Sequence, residues 1–210
     1  MNIDVLVVIY FVASLLPAIV LHELSHGMVT DRLGDPTPRM MGRLTINPVK
    51  HIDPIGTVFL PGILLLPWLF GRPGPVFGYA KPMPVNPANL KDADRQMAVI
   101  AVAGPVTNLL LAVVGSLGYR LSGGFGFAAS FFEIFVLVNV LLAVFNLLPI
   151  PPLDGSKVLA RFLPPRAREV FNSLEAYGAL FMLLVFFLFP GPVFAIIGPV
   201  VSGLNTLFLG

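Results

Sequence analysis

The strongest constraint on the fold of this chain is an apolar segment near its start. No charged residue occurs from Val5 to Leu21. The hydrocarbon core of a membrane is about 30 Å thick and is crossed by about 20 helical residues. The segment, taken over residues 3–28, is therefore predicted to cross a membrane as a single helix.

Other segments of the chain have the same apolar character. Soluble domains contain about 25% charged residues, whereas this chain is 56% hydrophobic and 11% charged. A soluble fold of this length could not bury so much apolar surface, so the composition predicts an all-α polytopic membrane protein covered by the bilayer. About five transmembrane helices are expected, the later ones at residues 97–119, 128–148, 174–189 and 192–209.

One further apolar stretch, residues 55–70, is not expected to be a simple span. It is short, and Gly56, Pro61, Gly62 and Pro67 interrupt it. Irregular backbone is tolerated at membrane depth only where it packs against protein or lines a wet cavity. The stretch is therefore predicted to be a re-entrant element or a short β-hairpin.

The basic residues predict how the helices are oriented. They form three clusters, after the first helix, after the 55–70 stretch and after residue 155, while Arg120 stands apart. Cytoplasmic loops of membrane proteins carry an excess of Lys and Arg. The three clusters are predicted to be cytoplasmic, with Arg120 and the N-terminus outside and the C-terminus in the cytoplasm.

The end of the first helix carries a His-Glu-Leu-Ser-His motif at residues 22–26. Histidines at positions i and i+4 lie on one helix face and can bind one zinc ion, and Glu23 can act as a base on bound water. The alternative is a coincidental pair of interfacial histidines, but ionisable groups inside membrane segments are functional by default. Asp4 and His22 are about 27 Å apart along a helix, which puts the site just below the cytoplasmic surface.

A catalytic zinc site has three protein ligands and one open position. Asp154 is the favoured third ligand because Pro149, Pro151 and Pro152 end the preceding helix and can present its carboxylate sideways into the bundle. The alternative role for Asp154 is a helix cap. The other ionisable groups in or beside the membrane segments are His51, Asp53, Glu133 and Glu175.

Other polar residues are candidates for contacting a substrate or supporting the metal. Asn108 and Asn146 lie in or at the ends of apolar segments, where an amide can stabilise an oxyanion or hold a substrate backbone. Hydrogen bonding between helices is at least as good an interpretation of both. His51 and Asp53 are candidates for a lid or for a second layer around the metal, although plain interfacial residues are the favoured interpretation.

The 55–70 stretch also suggests how a substrate could be held. A protease must unwind a helical substrate locally, and an extended edge can pair with the unwound strand by β-addition. Thr57, Val58 and Phe59 are predicted to form such an edge.

Three motifs occur in order along the chain: the one at 22–26, Ala-Gly-Pro-Val-Thr-Asn at 103–108, and Asn-x-x-Pro-x-Pro-Pro-Leu-Asp-Gly at 146–155. Together they resemble the site-2 protease family of intramembrane zinc metalloproteases. The resemblance implies that His22, His26 and Asp154 bind one Zn²⁺ and that Glu23 is the catalytic base.

Segments 47–57 and 78–82 resemble the compact branch of that family, which has no PDZ or CBS domain. A single protease domain over residues 1–210 is expected. Its core, residues 1–155, holds both zinc motifs, and residues 156–210 form a cytoplasmic connection and a C-terminal helical hairpin.

The implied function is hydrolysis of a peptide bond in or near a transmembrane segment of another membrane protein, in regulated intramembrane proteolysis. A catalytically silent chaperone or regulatory relative is one alternative, but it would have lost Glu23 or a ligand. A metal transporter is another, with ligands spread over several spans.

No basic run suggests a nucleic-acid partner, no cysteine offers a disulfide or thiolate ligand, and no signal peptide is recognised. The small size fits a prokaryotic cell membrane.

Overall fold

A computed structural model describes residues 5–70, 78–175 and 177–210. Every regular element within these ranges is helical. The α-helices are α1 (Val5–Arg32), α2 (Thr37–Met40), α3 (Leu60–Leu69), α4 (Ala93–Leu121), α5 (Gly126–Asn146), α6 (Asp154–Ala160), α7 (Pro165–Glu175), α8 (Gly178–Leu188) and α9 (Pro190–Leu209). A π-helix at Pro54–Phe59 and 3-10 helices at Pro48–Lys50 and Pro87–Asn89 lie in the connections.

Four of the described helices, α1, α4, α5 and α9, are long and apolar enough to cross a membrane. Large apolar side chains cover their outer faces, as at Leu110 and Val114, which are 62% and 59% exposed. Lipid tails cover such surfaces at no cost, whereas water would not. The prediction of an all-α, multi-pass membrane protein is confirmed.

The helices α1, α4 and α5 pack against one another, and α9 packs against α4 and α5. Glycines allow the close approach of α4 to α5, since a Cβ atom at Gly118 would lie 2.4 Å from the ring of Phe132. The buried core between α4, α5 and α9 includes Ala112, Val136 and Ile197. Small residues at such contacts let membrane helices pack by close van der Waals contact.

The start of α1 and the end of α9 lie on the same side of the bundle. Tyr10 packs edge-on against Phe131 near the start of α5, with ring centroids 5.9 Å apart. Near the end of α4, the Ser116 hydroxyl donates to the carbonyl oxygen of Phe208 at 2.5 Å. Both contacts lie close to the turn that joins α4 to α5. Both chain ends therefore lie at the same end of the helix bundle, whereas the sequence predicts that they face opposite sides of the membrane.

The difference comes from residues 174–189, where a fifth span was predicted. The helical residues described there belong to two helices, α7 and α8, and α8 has only 11 residues. Its length of about 16 Å is roughly half of the hydrocarbon thickness. Asp4, from which the depth of His22 was counted, lies outside the described residues.

The stretch 55–70 is helical, so the β-hairpin alternative is not confirmed. The π-helix leads directly into α3. Asp53 begins this helical stretch, because its Oδ1 accepts hydrogen bonds from the backbone N–H groups of Ile55 at 3.0 Å and Gly56 at 2.7 Å. Such a cap satisfies N–H groups that have no partner inside the helix.

Candidate metal centre and substrate cleft

Three potential metal ligands converge at the end of the bundle opposite the α4–α5 turn. His22 and His26 come from one face of α1, and Asp154 is the first residue of α6. The two Nε2 atoms are 3.0 Å apart, and Asp154 Oδ2 lies 3.1 Å from Nε2 of His22 and 3.2 Å from Nε2 of His26. All three side chains are buried.

The other ring nitrogen of each histidine is held by α4. His22 Nδ1 lies 2.6 Å from Asn108 Oδ1, and His26 Nδ1 lies 2.7 Å from the backbone carbonyl oxygen of Ile100. Both partners are acceptors, so each Nδ1 carries the proton and donates it. In a neutral imidazole this leaves Nε2 as a bare acceptor, and both bare atoms point to the centre.

Asp154 reaches the centre through a tightly turned connection after α5. The turns are closed by bonds from Ile150 N to the Leu148 carbonyl at 2.8 Å and from Leu153 N to the Ile150 carbonyl at 2.9 Å. Gly155 permits this path, since a Cβ atom there would lie 2.2 Å from the backbone oxygen of Leu147. The connection with the proline-rich run thus brings the Asp154 carboxylate to the two histidines.

These residues fit a metal ion. Three acceptor atoms face one another at about 3 Å, and Asp154 Oδ2 is buried with no hydrogen-bond partner among the described residues. Gly104 keeps space beside them, because a Cβ atom there would lie 2.5 Å from both Nε2 atoms. Two imidazoles and one carboxylate, with an open position, are a ligand set that zinc uses in catalytic sites.

Glu23 lies beside the ligands and lines the cleft that opens from them. The cleft has a volume of about 440 Å³. Oxygen Oε2 of Glu23 is buried and makes no hydrogen bond with the described part of the chain. It is therefore free to bond a water or a substrate group in the cleft.

The two asparagines predicted to contact substrate differ in position. Asn146 lines the cleft and donates from Nδ2 to the Leu142 carbonyl at 3.0 Å. Asn108 is 0% exposed and lies behind His22. The burial of Asn108 and its hydrogen bond to His22 favour the interpretation of hydrogen bonding between helices over a substrate or oxyanion contact. Neither the apolar pattern of α4 nor its spacing distinguishes these two roles.

His51 and Asp53 lie outside the ligand set and stabilise the loop before the π-helix. His51 is 2% exposed, its Nε2 lies 2.8 Å from the Thr45 carbonyl, and its own carbonyl accepts from Lys81 N at 2.9 Å. Asp53 caps the π-helix. Neither residue lines the cleft among the described residues.

Residues 78–86 form one wall of the cleft, here called the wall segment. Tyr79 N donates to the Gly56 carbonyl at 3.0 Å and Lys81 N donates to the His51 carbonyl, so two alternate residues bond to the segment 51–56. This is the pattern of one edge of an extended chain, whose other edge is presented by the residue between them. That residue, Ala80, lines the cleft.

The edge predicted at Thr57, Val58 and Phe59 is therefore corrected. These residues belong to the π-helix, so their backbone is not extended. Thr57 supports the wall segment instead, because its hydroxyl donates to the Tyr79 carbonyl at 2.8 Å. The glycine and proline pattern of the stretch indicated irregular backbone but not its shape.

Two buried charged residues that carry no sequence motif anchor the wall segment. Arg43 is 4% exposed and donates from Nη2 to the Lys81 carbonyl at 2.7 Å. Burial lowers the pKa of Arg43, and the nearby carboxylate of Glu23 opposes that shift.

Asp35 accepts from Asn86 N and from Asn89 Nδ2, both at 2.7 Å. Burial would raise the pKa of Asp35, but these donors, together with those of Thr37, hold it below its usual range.

Comparison with known proteins establishes the family. The chain is 37% identical over 186 residues to YwhC of Bacillus subtilis (strain 168), and the match covers 84% of this chain and 80% of the relative. The chain belongs to peptidase family M50. Residues 124–189 match the description of this family.

A second bacterial relative is also similar. Rip2 of Mycolicibacterium smegmatis (strain ATCC 700084 / mc(2)155) is 30% identical over 183 residues, which cover 85% of this chain and 67% of the relative. YwhC and Rip2 both carry names that describe zinc metalloproteases. No solved structure gives a significant match. Family membership and the three converging ligands together identify this M50 member as a zinc metalloprotease of the membrane.

Proposed function

We propose that the protein hydrolyses a peptide bond in or near a transmembrane segment of another membrane protein, as part of regulated intramembrane proteolysis. One observation carries the proposal: the three ligands and Glu23 line a single cleft built on α1, α4 and α5, which are long and apolar enough to span a membrane. A catalytically silent relative would not need this intact set.

The chemistry follows from the positions of the side chains. His22, His26 and Asp154 would hold the zinc ion, which when bound polarises the scissile carbonyl and brings the pKa of water to about 7. Glu23 takes the proton of the attacking water and returns it to the leaving amine. The Asn146 side chain, which lines the same cleft, stabilises the developing negative charge on the carbonyl oxygen. Asn146→Ala is expected to lower kcat with zinc content unchanged.

The wall segment would hold the substrate strand. A helical substrate must unwind before its peptide bond is accessible, and its exposed backbone groups then need partners. The backbone edge at Ala80 offers them by β-addition. The proposed pairing edge therefore lies at Ala80 instead of residues 57–59, and the proposed mode of substrate binding is still strand pairing.

Cross-linking tests the pairing. The chain has no cysteine, so a single Ala80→Cys or Phe59→Cys variant gives one attachment point. Phe59 is 62% exposed and serves as the matched control. Disulfide formation with a cysteine scanned along a bound substrate is expected from position 80. Cross-links from position 59 alone would favour the edge predicted from the sequence.

The proposed location follows from the basic clusters. The end of α1 that carries the two histidines and the end of α4 that packs against them are joined to the Lys- and Arg-containing loops, which favour the cytoplasm. The site would be reached by water from that side. We further propose that residues 1–210 act as one protease domain, since α1, α4 and α6 all contribute to the same centre.

Replacement of Glu23 tests the proposed function. Glu23→Gln keeps the shape of the side chain but removes the base, so cleavage is expected to fall by at least 100-fold while zinc remains bound. Membrane proteomes of cells producing wild type or this variant would be compared for fragments of transmembrane proteins. Fragments that form equally with both would refute Glu23 as the base, and an absence of any wild-type-dependent fragment would count against intramembrane substrates.

A further inference from the structure

We infer that Asn139 of α5 is a positioning residue that sets the tautomer of His22 through Asn108, and so keeps Nε2 of His22 available to the metal. Asn139 belongs to none of the three sequence motifs. It lies 31 positions from Asn108 in sequence and is 0% exposed.

A line of hydrogen bonds connects α5 to the ligand. Asn139 Nδ2 lies 2.8 Å from the backbone carbonyl of Phe135. Asn108 Nδ2 lies 3.0 Å from Asn139 Oδ1. Asn108 Oδ1 lies 2.6 Å from His22 Nδ1. The line therefore runs from a backbone carbonyl through two amides to the histidine ring.

The direction of these bonds follows from the carbonyl at the end of the line. A backbone carbonyl only accepts, so Asn139 must present its NH₂ group to Phe135 and its oxygen to Asn108. Asn108 must then present its NH₂ group to Asn139 and its oxygen to His22. The proton of a neutral His22 ring is consequently held on Nδ1.

A second carbonyl contact reinforces this direction. Asn108 Nδ2 also lies 3.3 Å from the backbone carbonyl of Ala18 in α1. Turning the Asn108 amide over would place its oxygen against two acceptors at once. Asn108 is fully buried, and buried acceptors left without hydrogen-bond partners are destabilising. The reversed arrangement is therefore disfavoured at both ends.

The structural alternative is that Asn108 and Asn139 only hold α4 to α5. Hydrogen bonds between membrane helices commonly have that role. The two interpretations predict different zinc affinities when the hydrogen bonds are removed. A purely structural pair predicts lower stability and unchanged zinc affinity, whereas tautomer control predicts weaker zinc binding. Supporting contacts of metal-bound histidines typically change metal affinity by 10–100-fold.

Zinc affinity of purified protein is the first measurement. Asn139→Leu removes both amide functions with little change in volume, and it is expected to weaken zinc binding by about 10–100-fold in a competition titration with a chelator. Asn139→Asp is expected to stay within a few-fold of wild type, because a buried protonated carboxyl has both a donor and an acceptor. A folded Asn139→Leu variant with wild-type affinity would overturn the inference.

Ser116→Ala is the matched control. It removes another buried hydrogen bond within the bundle, from the Ser116 hydroxyl to the Phe208 carbonyl, without touching the line to His22. It is expected to lower stability and leave zinc affinity unchanged. An equal loss of affinity in this control would show that general loosening of the bundle explains the effect.

The tautomer itself can be observed in wild-type protein and needs no variant to fold. The ¹⁵N chemical shifts of histidine-labelled, zinc-free protein distinguish protonated from bare ring nitrogens. The His22 signals, assigned with a His22→Gln variant, are expected to show the proton on Nδ1. A bare Nδ1 would overturn the inference whether or not the protein cleaves peptides.

Discussion

At the scale of single residues, the metal centre depends on contacts that orient each ligand from behind. His22 is held by Asn108, His26 by the Ile100 carbonyl, and Asp154 by the close approach of Gly155 to Leu147. Each contact restricts the rotation of a side chain that metal binding would otherwise have to fix. The three side chains are therefore already oriented toward one another.

Gly104 gives a prediction at this scale. A methyl group there would occupy the space beside both Nε2 atoms, so Gly104→Ala is expected to weaken zinc binding by on the order of 100-fold or more, beyond the loss of one supporting contact. Gly198→Ala in α9 is the control, since nothing lies within 4 Å of its Cβ position. Metal analysis after dialysis against a weak chelator is the measurement, and zinc retained in Gly104→Ala would contradict this account.

At the scale of elements, the wall segment has no helix or sheet of its own and is placed by side chains of other loops. Thr57 and Arg43 bond its first half, and Asp35 bonds the turn at its far end. Such anchoring is needed because a segment with Pro82 and Pro84 lacks N–H groups for regular pairing. Buried charged groups therefore help to stabilise one wall of the cleft.

Asp35 gives a pH-dependent prediction. Its pKa in the folded protein lies below the unfolded value of about 3.9, so its stabilising contribution is present above that pH and is lost as pH falls through the lower folded value. Asp35→Asn is expected to lower the Tm at neutral pH, and the difference from wild type should shrink below about pH 4. Thermal unfolding of purified protein at several pH values measures it.

Asp92→Asn provides the comparison for that experiment. Asp92 caps α4 by accepting from Arg95 N at 3.1 Å, and asparagine caps a helix about as well as aspartate. Its Tm is expected to stay close to that of wild type across the pH range. A difference for Asp35→Asn that stays constant with pH would contradict the assignment of a lowered pKa.

At the scale of the whole molecule, the start of α1 and the end of α9 lie at one end of the helix bundle. The Ser116–Phe208 bond is the decisive contact, because it ties the end of α9 to the end of α4. The 11 residues of α8 are too few to add a crossing by themselves. The candidate zinc site then lies at the other end of the bundle.

Reporter fusions test this arrangement. A reporter after Gly210 and one in the turn 122–125 are expected to lie on the same side of the membrane, and a third at residues 161–164 on the other. The positive-inside rule makes the first two extracytoplasmic. Opposite locations for the first two reporters would mean that residues 174–189 cross the membrane after all.

The apolar runs, the 22–26 motif and the proline-rich run before Asp154 were readable without a structure because each is local. A run of about 20 apolar residues specifies a span, positions i and i+4 specify a helix face, and prolines end a helix where they stand. Candidate zinc ligands and a candidate base could be named on this basis, and their roles stay predictions. The family M50 assignment confirms the class of zinc metalloprotease.

The wall segment, the support of His22 by Asn108 and Asn139, and the side reached by α9 depend on contacts between distant parts of the chain. His22 and Asn108 are 86 positions apart, and Ser116 and Phe208 are 92 apart. An asparagine in an apolar helix has the same local sequence whether it faces a substrate, a ligand or another helix. Its role is set by the partner that packing brings to it, because a buried amide must be satisfied by whatever lies within about 3 Å.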